Sequence, residues 1–200
     1  MRLLPALVLF GALALSGTAA SEQAQLFRQL LDEHWQWYLE ENPQRRTQLG
    51  DHSAGDRWND VSPVARERQD GRRAAFLQRL AAIDPAQLGG QEQLSYAMFR
   101  RRLEEARENY RLGLHLIDLN MRTGPQHYHS LTEYIPFATE ADFQLWLERL
   151  AAVPKMLEGH TLALREGIAR QRVQAREVLQ RVPVQLDRLI TADPAQSPFY

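Results

Sequence analysis

Apolar side chains recur at three- and four-residue steps over most of this chain, and that spacing predicts helices. From about Glu22 to Glu41, Leu26, Phe27, Leu30, Leu31, His34, Trp35 and Tyr38 fall on one stripe of a 3.6-residue period. Asn42-Pro43 should end this helix, because the residue before a proline avoids the helical region. Asn42 is then expected to cap a short turn from Pro43 to about Gly50. A polar loop over 51–61 carries Trp58. Ser62-Pro63 restarts a helix, serine as cap and proline in first position, and the helix runs to about Ile83. Asp84-Pro85 and Gly89-Gly90 are breaks.

The strongest periodicity follows. Tyr96, Phe99, Leu103, Ala106, Tyr110, Gly113 and Ile117 step by 3, 4, 3, 4, 3 and 4, a seam for a neighbouring helix. The opposite face carries Arg100, Arg101, Arg102, Glu104, Glu105, Arg107 and Glu108, which reads as a solvated face. Residues 119–139 read as a long irregular stretch, broken at Gly124-Pro125 and Ile135-Pro136. A helix from about Glu140 carries Phe143, Trp146, Leu147 and Leu150, and Pro154 should break or kink it. Met156, Leu157, His160, Leu164 and Ile168 form the next periodic run. A last helix begins near Gln174 and is interrupted at Pro183, before loop signals at Asp193-Pro194 and Ser197-Pro198. No segment alternates strictly, so no strand is predicted. The fold class is all-α, a multi-helix array.

The N-terminus changes the picture from a bare helical domain to an exported one. Arg2 precedes an uncharged apolar run, Leu3 to Leu15, and small residues lead to polar Ser21-Glu22-Gln23. The run is about 13 residues, short of the about 20 that span a membrane, so residues 1–20 read as a signal peptide cut after Ala20. No cysteine stands at the cut, which excludes a lipoprotein signal. The expected location is periplasmic or secreted, with no membrane association after cleavage. Residues 21–200 then form the helical domain. The total absence of cysteine also excludes disulfides and thiolate metal sites. Cleavage removes only Arg2 among the charged residues, so 24 basic against 25 acidic becomes 23 against 25. This near balance gives no reason to expect nucleic acid as a partner.

Candidate chemistry is sparse. No His-Glu-x-x-His, Gly-x-Ser-x-Gly or phosphate-loop pattern occurs, and no catalytic residue is assigned. The best local cluster is His127-Tyr128-His129 with Glu133, weak metal candidates if the backbone is extended and both histidines point the same way. Asp51-His52 with Asp56 and Arg57 suggests loop capping and surface pairing more than acid–base chemistry. His34 and His160 sit on apolar stripes and read as core histidines. Trp35, Trp37, Trp58 and Trp146 read as packing anchors.

The order of several segments carries more than any one of them. Tyr38 to Pro43 leads to Gln48 to His52; Leu80 to Pro85 precedes Gly90 to Tyr96; then come Gly124-Pro125-Gln126, Asp142-Phe143 with Leu147 to Leu150, Glu166 to Ala169, and Ser197 to Tyr200. In this order and spacing the chain, from about Leu26 to Tyr200, resembles the N-terminal part of a bacterial family known as domain of unknown function 885, DUF885. The stretch Arg170 to Arg176 departs from the proline-containing turn usual there.

The resemblance implies a mainly helical, gluzincin-like domain of which this chain is the N-terminal half. It also implies a zinc-dependent peptidase-like hydrolase whose metal is held by a His-Glu-x-x-Pro-Gly-His helix and a downstream glutamate. None of those residues is in this sequence, so no cofactor is expected in this chain, though zinc is implied for the family. The expected partners are the missing C-terminal half of the same domain and a peptide substrate. Loop residues Gly124, Pro125 and Gln126 are the weak candidates for substrate contact, since long irregular loops in helical folds often bind. The chain ends in a loop signal at Tyr200, which reads as truncation, and alone it should be inactive. The alternative is a self-contained periplasmic helical binding or interaction module without catalysis.

Overall fold

A computed structural model describes residues 10–200, with side chains from Glu22 onward. The expected signal segment, residues 1–20 with its cut after Ala20, lies outside the residues whose side chains are described. The chain is all-α, as its periodicity predicts, and no strand occurs among the described residues. Its helices are α1 Phe10–Glu41, α2 Pro43–Gln48, α3 Pro63–Ala81, α4 Gly90–Arg111, α5 Glu140–Ala151, α6 Val153–Ala169, α7 Arg176–Leu179 and α8 Arg181–Asp187. Tighter 3-10 turns cover Pro85–Gln87, Leu114–Leu116, Pro125–Tyr134 and Pro194–Gln196. No helix among the described residues is long and apolar enough to cross a membrane. The residues divide into two compact units: those up to Gln36 with Asp70–Arg107, and Trp37–Gln69 with Glu108–Tyr200.

The first unit is an apolar three-helix packing. Ala24, Phe27 and Leu30 of α1, Phe76 and Leu80 of α3, and Tyr96, Phe99 and Leu103 of α4 are all buried. Each set repeats at three or four residues, so one stripe per helix faces the others. The Phe27 and Tyr96 ring centroids lie 5.9 Å apart. The Tyr96 hydroxyl donates to the Leu80 carbonyl at 3.1 Å, serving one of the last carbonyls of α3. His34 presents its ring between Phe76 and Phe99, at 5.1 and 4.8 Å between centroids and edge-on to both. Burial, aided by the positive Arg102 and Arg73, pushes its pKa down to about 4. It is therefore a neutral core histidine, as its place on the apolar stripe suggests.

Ion pairs cover the outside of this unit. Arg79 grips Glu33 through two bonds of 2.6 and 3.0 Å, and Arg107 reaches Asp70 at 3.3 Å. Along α4 itself Arg100 pairs with Glu104 and Arg101 with Glu105. Such exposed pairs stabilise by little.

The second unit is built from shorter elements and packs around aromatic rings. Trp58, Leu131, Trp146 and Met156 form its buried cluster, with Tyr128, Ile135, Phe137, Leu150 and Phe199 packed against it. Trp58 and Trp146 are thus the anchors that the sequence suggests, whereas Trp35, in the first unit, is 45% exposed. A Thr139–Asp142 capping box starts α5. Pro154 sits in the first turn of α6, so the expected break falls between Ala151 and Val153. Met156, Gly159, Ala163 and Gly167 form the buried face of α6.

Four sequence expectations need correction. Asn42 does not cap α2 with its side chain; its amide donates back to the Tyr38 carbonyl at 2.7 Å. The Gln44 N–H is accepted instead by Asn59 Oδ1, and Gln44 Oε1 accepts from the Asn59 N–H in return. A partner fifteen residues away thus replaces the local cap, and no local pattern announces it. The seam from Tyr96 to Ile117 is helical only to Arg111. Gly113 adopts φ 72°, the left-handed region open to glycine, and turns the chain out of α4. The irregular stretch after Leu119 contains a ten-residue 3-10 helix, Pro125–Tyr134. Finally, Pro183 lies inside α8, and the break before it falls at Gln180.

Among the described residues every fully buried polar side chain belongs to this second unit: Thr47, Gln69, Gln126 and Arg149. Arg149 on α5 is 0% exposed. Its Nη2 donates to Thr47 Oγ1 at 2.9 Å and the Ala54 carbonyl at 2.8 Å, while Nε and Nη1 have no partner. The guanidinium lies 5.5 Å from the Trp58 ring, whose Nε1 donates to the Arg149 carbonyl at 2.7 Å. Burial brings the Arg149 pKa down to about 10, so it stays charged at neutral pH.

Candidate functional site

The second unit holds a cavity of about 320 Å³ whose wall comes from seven stretches of chain. Arg66 comes from the first turns of α3, His115 from the 3-10 turn after α4, and Asp118 and Arg122 from the loop beyond it. His127 and Tyr128 come from the 3-10 helix Pro125–Tyr134, and His160 from α6. Gln44 of α2 and Asn59 complete the polar lining, while Leu116, Leu131, Ala163 and Leu164 supply apolar surface. The volume lies at the small end of ordinary ligand pockets, which run from about 300 to about 1,000 Å³.

Each polar group is held from behind. Tyr128 stacks on Trp58, ring centroids 5.4 Å apart and planes 17° from parallel. Its hydroxyl is 3.2 Å from His160 Nε2. Burial raises the Tyr128 pKa to about 12, so the phenol keeps its proton. His115 stacks on Tyr110 at 4.8 Å. His115 and His160 are both held below the ordinary histidine range, first by burial and then by the positive charge of Arg66. They are neutral hydrogen-bonding rings at neutral pH, and the same two effects place Arg66 in electrical contact with both. Two atoms of this wall lack what buried polar atoms ordinarily have: Arg66 Nε and His115 Nδ1 are buried with no hydrogen-bond partner.

The loop at Gly124 shapes one side of the cavity. Gly124 has φ 138°, and a Cβ there would run into Leu119 Cδ1 and the Gln126 side chain. Only glycine closes this corner. Gln126, 2% exposed, donates to the Asn120 carbonyl at 2.7 Å, and Gln185 of α8 donates to the Met121 carbonyl at 3.1 Å. Of the three sequence candidates for substrate contact, Gly124 lines the cavity, whereas Pro125 and Gln126 are buried behind it and pin the loop.

The metal candidates are not brought together. His127 lines the cavity, with Nε2 3.0 Å from the Met121 carbonyl. His129 packs edge-on against Phe199 at 6.0 Å, and Glu133 is exposed. The reason is backbone geometry. Two residues apart in a strand point the same way, but two residues apart in a 3-10 helix are about 120° apart around the axis. No three His, Asp or Glu side chains among the described residues converge as a metal site requires. The Asp51 group also separates: Asp51 accepts from Ser53 and from Arg46, and these bonds hold its carboxyl well below the usual range. Arg57 pairs with Asp56, at 3.6 Å.

A family model described as a bacterial protein of unknown function, DUF885, matches residues 43–200. The chain belongs to the DUF885 family. The match takes in every residue of the cavity wall, from Gln44 to Leu164. No curated protein matches the chain. No sequence pattern marks Arg66, His115, Asp118 or Tyr128 as cavity residues, and His160 reads as core from its place on an apolar stripe. They come from separate segments, so no spacing motif joins them; a polar residue inside each apolar or loop segment was the only available sign.

Proposed function

We propose that this DUF885 chain is the N-terminal helical segment of an exported, zinc-dependent peptidase-like hydrolase. In this reading it supplies substrate-binding wall, and the metal is held by further polypeptide carrying the His-Glu-x-x-Pro-Gly-His helix. Family membership over residues 43–200 carries the proposal. A polar cavity lies within the matched residues. The start of the sequence supports export, by the apolar run that ends before Ala20.

The direct test is to read the native gene beyond the codon for Tyr200. The proposal expects a His-Glu-x-x-Pro-Gly-His helix downstream and zinc bound by the full-length product. A genuine stop codon at that point, with peptide hydrolysis by the 200-residue chain, would overturn it and favour a self-contained module.

A further inference from the structure

The cavity wall carries hydrogen-bonding side chains, and two atoms of it, Arg66 Nε and His115 Nδ1, are partnerless just beneath its surface. Arg66 is half-buried and spends Nη1 on Gln69 Oε1 at 3.2 Å, but its Nε has no partner. No carboxylate pairs with it among the described residues. A buried donor without a partner is costly to a fold. The charge around it is lopsided. Arg66 and Arg122 line the cavity against a single carboxylate, Asp118, and both Asp118 and Arg122 are exposed to solvent. The half-buried charge is therefore the guanidinium alone. His115, with its own partnerless Nδ1, and the Tyr128–His160 pair add hydrogen-bonding groups that bring no negative charge. Leu116, Leu131, Ala163 and Leu164 make the rest of the wall apolar.

We propose that this cavity binds a carboxylate, received by Arg66 with His115, Tyr128 and His160 as hydrogen-bonding neighbours. The planar guanidinium fork matches a carboxylate, and one half-buried cation matches one negative charge. A phosphate dianion would leave one charge unmatched. The apolar wall sets the rest of the ligand: a short aliphatic group beside the carboxylate. That chemistry is shared by a free short carboxylic acid and by the C-terminus of a peptide. The proposal rests on the cavity and not on the hydrolase reading, since binding needs neither metal nor turnover.

The test uses the full chain and three classes of probe, followed by melting temperature and by the ring resonances of His115 and His160. N-acetylglycine should raise the melting temperature and shift both histidines, saturating at a concentration on the order of 1 mM. N-acetylglycinamide, the same shape without the charge, should bind at least about tenfold more weakly, the loss expected when a charge-assisted hydrogen bond is removed. Acetate binding as well as an acetylated tripeptide identifies a free acid as the source; a clear preference for the tripeptide identifies a peptide C-terminus. Arg66→Gln should lower affinity for N-acetylglycine by about tenfold or more, and Arg101→Gln, on the outer face of α4, should not. Equal binding of acid and amide, tighter binding of inorganic phosphate than of N-acetylglycine, or no histidine shift up to roughly 50 mM would each overturn the proposal. The acid–amide comparison needs no variant, so it decides even if Arg66→Gln fails to fold.

Discussion

The two compact units solve the problem of burial in opposite ways. In the first, the buried side chains are apolar, the half-buried His34 sits between phenylalanines, and charges pair on the outside. In the second, among the described residues, stand all the fully buried polar side chains and all the buried nitrogen and oxygen atoms that lack a partner: Arg66 Nε, His115 Nδ1, Gln126 Oε1, His129 Nδ1, and Nε and Nη1 of Arg149. A core built only for stability would not keep them, because each is costly to bury. The first unit is therefore read as scaffold and the second as the part that meets a ligand.

Substitutions can break or sharpen that contrast. The largest effect belongs to the scaffold. Phe76→Ala, at a position 1% exposed, should destabilise by about 3–5 kcal/mol in chemical denaturation. A loss below about 1 kcal/mol would show that the first unit is not a close-packed core.

A smaller effect should appear on acidification. His34 binds its proton near pH 6.5 in the unfolded chain but only near 4 when folded. As pH falls through that window the unfolded state takes up the proton first, so stability is present above it and lost within it. The ring is partly exposed, so the loss is discounted to about 1–2 kcal/mol. His115 and His160, also shifted down, act in the same direction. Unfolding midpoints measured against pH should fall less steeply in His34→Leu; an unchanged slope would remove His34 as a contributor.

Smaller still is the expected cost of Arg149→Met. The substitution removes a buried charge with two partnerless nitrogens. Thr47 Oγ1 keeps its bond to the Pro43 carbonyl, and the Ala54 carbonyl keeps the Arg57 N–H. Stability should stay within about 1 kcal/mol of the parent, because apolar replacement of a buried charge is often neutral. A loss comparable with that of Phe76→Ala would make Arg149 a structural keystone. Arg101→Gln, which breaks an exposed pair with Glu105, should leave the melting temperature unchanged within error, by differential scanning fluorimetry.

Most of the scaffold was legible in the sequence, because it follows from local spacing. The stripes of α1 and α4, the Ser62-Pro63 start and the Pro154 break depend on residues within one or two turns. Asn42 shows where this stops. Its capping pattern is present, yet the amide of Asn59 does the work, and a contact fifteen residues away leaves no periodic trace. The site was less legible for the same reason. His127 and His129 looked paired only on the assumption of an extended backbone, and the 3-10 helix turned them apart. Arg66, His115, Tyr128 and His160 converge only through tertiary packing, and their chemistry is invisible until the segments meet.

Replacing Arg66 by methionine, and measuring stability and N-acetylglycine saturation on the same preparation, tests the division of labour most directly. The expected result is that the variant loses saturable binding while its unfolding free energy drops by less than the about 3–5 kcal/mol of Phe76→Ala, since a partnerless buried donor goes and only the bond to Gln69 Oε1 is lost. Unaltered binding, or a collapse in stability to match that of Phe76→Ala, would contradict it.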